Sequence, residues 1–145
     1  MPTNKHVYCV KFVCGSLEKV VRNECDGVLG AGSYCTEINI LNYNNEERAL
    51  IEKFVIPIVS KELIAREPHI AKMIKGDKIT LPPNTATMDD CCRISELMKE
   101  SGTFKIGYLK IVSSIDLAVT AVYTAANRAG EAVSMQVLPV IGELI

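Results

Sequence analysis

The stretch Asp89-Asp90-Cys91-Cys92 sets two carboxylates beside two thiols. A thiol at a helix N-terminus is held more readily as the nucleophilic thiolate. The neighbouring aspartates oppose this, because they disfavour another negative charge close by. Asp89, Asp90, Cys91 and Cys92 are therefore the ligand-binding candidates of the chain. Nucleophilic catalysis also needs a base within reach of the nucleophile. His6 and His69 are remote from these cysteines in sequence, so no residue is assigned a catalytic role. The competing reading of the same four residues is a capped helix start, with one cysteine buried and one at the boundary.

The remaining chemistry is sparse. Six cysteines stand at 9, 14, 25, 35, 91 and 92. Cys9, Cys14 and Cys35 fall in apolar, strand-like stretches, where cysteine behaves as a small hydrophobe, and most are expected to be reduced and buried. A Cys-x2-Cys pair, the usual start of a structural zinc site, is lacking, and no metal or cofactor is expected. Glu37 and Asp116 each suit a solvated face. Gly27, Gly30 and Gly32 follow no phosphate-binding template and suit a flexible strand entry. Eight aromatics without tryptophan disfavour a stacking platform for sugars or bases.

The elements that must position these residues alternate with a period of two. Over 33–43, Tyr34, Thr36, Ile38 and Ile40 share a face opposite Glu37 and Asn39, as in a half-buried antiparallel strand. Leu117, Val119, Ala121 and Tyr123 repeat the pattern. Val133, Met135 and Val137 do so again, opposite Ser134 and Gln136. Stretches 7–13, 17–22, 49–59 and 104–112 are apolar, β-branched runs of strand length, several of them apolar on both faces. Polar turns at 42–47, 113–114 and 127–130 separate them.

Two stretches break the pattern. Residues 61–78 carry five basic and three acidic side chains (5 − 3 = +2) around Pro68. They suggest a long excursion with a short helix, and a candidate lid or contact surface. After Pro82-Pro83-Asn84, Thr87-Met88-Asp89-Asp90 resembles a capping box. It predicts one short helix around 88–100, capped by Thr87 or Asp89 and closed at Gly102. Ile94 and Met98 are expected to pack on the sheet, with Leu97 at the margin.

The expected fold class is mainly β: a single antiparallel β-sandwich domain over residues 1–145, jelly-roll-like or immunoglobulin-like, with that one helix. The chain has 145 residues and a net charge of 16 − 17 = −1, within one-domain size. Near-neutral charge lacks the electrostatic footprint of a nucleic-acid binder. No apolar run approaches the roughly 20 residues that span a bilayer. No signal peptide is visible before His6, so the expected location is cytoplasmic.

The strand over 33–42 ending in Asn42, the segment Ile79-Thr80-Leu81-Pro82-Pro83-Asn84-Thr85 and the strand Val119-Thr120-Ala121-Val122-Tyr123-Thr124 follow in order. This layout resembles an uncharacterised group of small bacterial proteins and, distantly, the sensory rhodopsin transducer family, over roughly residues 33–137. The resemblance implies a β-sandwich that forms homo-oligomers. The cysteine-rich N-terminal segment and the Cys91-Cys92 helix depart from the transducer pattern, so neither a signalling role nor a catalytic residue carries over. The expected function is a non-enzymatic, homo-oligomeric binding or assembly module, with a protein or small molecule as further partner. The alternative is a small-ligand enzyme or sensor using a reactive thiol near Asp89–Cys92, with a pocket beside the helix and 61–78 as its lid.

Overall fold

In strand β1 (His6–Leu17), Tyr8, Val10, Phe12 and Cys14 are buried while the residues between them are not. This is the alternation of a strand with one face on a core. The same period runs through β2 (Gly32–Asn42), β3 (Ala49–Val59) and β6 (Lys105–Ser113). The computed structural model describes residues 4–17, 31–61, 64–100, 102, 104–127 and 129–145, and the backbone alone of Ala132. Cys25, Gly27, Gly30 and the strand expected over 18–22 lie outside the described residues.

The remaining elements are β4 (Ile74–Leu81), β5 (Thr85–Asp90), α1 (Cys91–Met98), β7 (Ala118–Ala126), β8 (Ala132–Val140) and β9 (Glu143–Leu144). The protein is thus mainly β with one short helix, and all its strand pairings are antiparallel. The order is β4-β3-β6-β1-β2-β7-β8, with β5 added to β2 and β9 to β1. Strand β1 serves both halves. Its residues 6–14 pair with β6, and its residues 15–17 pair with the start of β2. At the change of partner Gly15 has φ +111°, a backbone region glycine enters without a steric cost. Strands that switch layers at such bends form the corners of packed sheets.

Val10, Phe12, Val55, Leu109 and Ile111 from one half meet Ile38, Ile40, Val119 and Ala121 from the other in a single buried cluster. Packing there is close. A Cβ on Gly107, the cross-strand partner of Phe12, would lie 2.7 Å from the Phe12 ring and 2.5 Å from Ile56 O. Buried Asn42 ties two turns together: its Nδ2 donates to Glu47 O at 2.9 Å and Leu81 O at 3.0 Å. A buried amide must find such partners, because leaving them unmade costs about 1–3 kcal/mol.

The helix is real but begins later than expected. Thr87 lies in β5, opposite Ile40, and Asp89 lies opposite Ile38. Their backbone groups serve the ladder with β2, so neither residue caps the helix. Asp90 does, accepting from the Arg93 N–H at 2.8 Å. Lys99, in the left-handed region at φ 55°, closes the helix instead of Gly102. Lys99 N donates to Glu96 O, and Glu100 N to Ser95 O, the paired bonds of a Schellman ending. Ile94 is fully buried, with Leu97 and Met98 packed against the core as expected.

The excursion also differs. Among its described residues there is no helix. Arg66 and His69 bridge across a tight turn, and the chain becomes β4 at Ile74. Pairing with β3 claims the second half of the stretch as strand.

Candidate functional site

The four sequence-selected residues take up different roles. Successive strand residues point to opposite faces, so Asp89 turns inward while Asp90 caps α1. Asp89 Oδ1 lies 2.9 Å from Lys53 Nζ, and the two side chains are 1% and 3% exposed. Cys91 is bonded to Cys14, 77 residues away, with the Cα atoms 5.6 Å apart. Cys92 is a free, exposed cysteine. Cys91 is thus no free nucleophile in this state; Cys91 and Cys92 both line the cleft against α1, and Asp89 and Asp90 do not.

The expectation of mostly reduced, buried cysteines is corrected in the same way. Cys9 and Cys35 are free but exposed, and Cys14 is buried but bonded. Cys9 follows Tyr8 and Cys35 precedes Thr36, both inward-facing, so alternation sends the two thiols outward. Partial burial raises the Cys35 pKa first, and the negative charges of Asp90 and Glu37 raise it further.

What the structure assembles instead is a cleft against α1, about 760 Å3 in volume, within the usual range for small-molecule sites. The Cys14–Cys91 disulfide, Cys92, Lys99 and Lys105 are in its lining. Lys105 pairs with Cys14 across the β1–β6 ladder and is 2% exposed. The Thr36 N–H donates to Cys91 Sγ at 3.2 Å. Glu96 and Glu100, also in the lining, are engaged: Glu96 by Arg93 at 2.8 Å, Glu100 by the Lys61 N–H at 2.6 Å. The expected pocket beside the helix is present. Among the described residues of 61–78 none is in its lining, and only the Lys61 N–H reaches it, through Glu100. Arg93 also pairs with Asp77 of β4, which fastens the helix to the other layer.

A second cluster escaped the sequence reading, which took Asp116 for a solvated face and noted His6 only as remote from the cysteines. Tyr8 OH donates to Asp116 Oδ1 at 2.6 Å, and Tyr43 OH donates to Asp116 Oδ2 at 2.5 Å. His6 Nδ1 stands 3.7 Å from the same carboxylate, and the Leu117 N–H donates to Tyr8 OH at 2.7 Å. The Tyr43 and Tyr8 hydroxyls hold the Asp116 carboxyl below its usual pKa. Burial raises the Tyr8 pKa well above the usual tyrosine value. Four chain segments supply this cluster, from β1, the β2–β3 turn, the β6–β7 turn and the C-terminal end, where Gly142 leaves room for the Tyr8 ring. No local spacing announces it.

The third feature is apolar. Val133, Met135 and Val137 share a face of β8, as the alternation predicts. That face is not buried: the three are 68%, 67% and 57% exposed. Met135 and Val137 pair with Thr124 and Val122 of β7, on the side away from the core residues Val119 and Ala121. Leu41 of β2 and Met88 of β5 are exposed on the same sheet at 40% and 45%. Beyond β8 the sheet has no further strand among the described residues.

Among the described residues no group of histidines, cysteines and acids is arranged to hold a metal ion, and no helix is long and apolar enough to cross a membrane. No protein-family model matches the chain, and no curated protein matches it. The crystal structure of Thermotoga maritima 1070 is similar to it, with a TM-score of 0.54 and 10% sequence identity over 97% of this chain and 95% of that one. At that identity the likeness is one of fold.

Proposed function

We propose that the protein is a non-enzymatic assembly module that pairs with a second copy of itself through β8 and the outer face of its sheet. The observation that carries the reading is β8, whose two faces are both exposed although it bears Val133, Met135, Val137 and Leu138. Contiguous apolar surface of this kind marks interaction sites. Edge strands are ordinarily guarded by charge, proline or a bulge. Here the bulge opposite Ala126 and Pro139 bracket the strand and leave its centre open.

Charge supports a second copy as the occupant. A two-fold axis sets each residue near its own counterpart, so charges at the axis would repel. From Ala132 to Val140 β8 has none. The layout resemblance to the sensory rhodopsin transducer family, whose members form homo-oligomers, supports the same reading.

Light scattering over a dilution series tests it. The wild-type chain should be a dimer at micromolar concentration, and Met135→Lys with Val137→Lys should be monomeric with an unchanged circular dichroism spectrum. A wild-type monomer at every concentration sinks the proposal.

A further inference from the structure

We infer that the cleft against α1 is a thiol–disulfide exchange site for a small anionic thiol. This goes beyond the assembly reading and does not depend on it. A reactive disulfide needs an accessible sulfur to attack and a stabilised sulfur to leave. Of the bonded pair, Cys91 is partly exposed at the cleft and Cys14 is buried. Buried Lys105 stands across the ladder from Cys14, and a neighbouring cation favours the thiolate form of a cysteine. The geometry therefore points to Cys91 as the sulfur attacked and Cys14 as the sulfur that leaves.

The step balances without an outside oxidant. The incoming thiolate attacks Cys91 Sγ and forms a new S–S bond there. The Cys91–Cys14 bond breaks, and its electron pair leaves on Cys14 Sγ. The proton given up by the incoming thiol ends on Cys14. One disulfide is exchanged for another.

Charge selects the thiol. Of the two acids of the lining, Glu96 is ion-paired with Arg93, whereas Glu100 accepts from the Lys61 N–H and keeps its charge; Lys99 lies exposed at the rim. Lys99 is the charge that an anionic group on the thiol meets at the rim, and a cation so placed raises the encounter rate of anions by about tenfold.

Reduced glutathione under anaerobic conditions is the probe. Free thiols cannot capture it without an oxidant, so Cys9, Cys35 and Cys92 are silent. Mass spectrometry with peptide mapping should find one glutathione on Cys91 and Cys14 open to alkylation. Complete reduction with release of one equivalent of glutathione disulfide is the same exchange carried through twice and also supports the inference. Lys99→Glu should slow capture of glutathione roughly tenfold and leave capture of neutral 2-mercaptoethanol unchanged. Lys105→Met should slow both probes, and Lys105→Arg should restore them. The inference is overturned if the disulfide opens only in denaturant, if glutathione sits on Cys14, if Lys99→Glu slows both probes equally, or if Cys14 and Cys91 stay reduced in air.

Discussion

Lys53 and Asp89 form an ion pair of 2.9 Å in the interior, joining β3 of one half to β5 of the other. Removing one partner of a buried pair strands the other charge, which costs about 3–5 kcal/mol. Asp89→Ala should therefore lower the urea midpoint severely. The double variant Lys53→Met with Asp89→Leu should recover most of the loss, since apolar replacement of a buried pair is often neutral. Equal destabilisation by the single and double variants would show that packing, not charge, explains the effect.

The helix provides a comparison of packing with capping. Ile94 is wholly buried and Asp90 holds the Arg93 N–H. Ile94→Ala should cost about 2–5 kcal/mol, against about 1 kcal/mol for Asp90→Ala. Thr87→Ala should not alter helix capping, because Thr87 sits in the β2–β5 ladder. Denaturant titration of the three variants checks the order.

The Cys14–Cys91 bond closes a loop of 77 residues. Crosslinks over long loops typically contribute about 2–4 kcal/mol by restricting the unfolded chain. Thermal unfolding with and without reductant should differ by that amount in the wild type. In Cys14→Ser with Cys91→Ser the two curves should coincide.

Asp116 gives the acid limb of stability a local source. Its folded pKa is lowered, chiefly by Tyr43 and then by Tyr8. At and above the usual carboxylate pKa the contribution is complete, and it is lost as pH falls through the folded value. With the Asp116 side chain 55% exposed, solvent keeps the effect small. Tyr43→Phe should raise the Asp116 pKa toward its ordinary value and flatten the acid limb. Carboxyl chemical shifts through a pH titration would read it directly.

By itself the sequence determined what depends on near neighbours along the chain. Strand β3 spans the 49–59 run, and Leu117, Val119 and Ala121 face the core. Ile94 packs the helix, because alternation and helical spacing are written over a few residues. Tertiary structure alone decided the rest. The Thr87–Asp90 stretch has the local form of a helix start, yet it pairs in register with β2, and Asp90 was left to cap. Lys53 meets Asp89 across 36 residues, and Cys14 meets Cys91 across 77. That both faces of β8 stay exposed depended on where the sheet ends. Such choices follow from which surfaces remain once two layers pack, and no window along the chain contains that information.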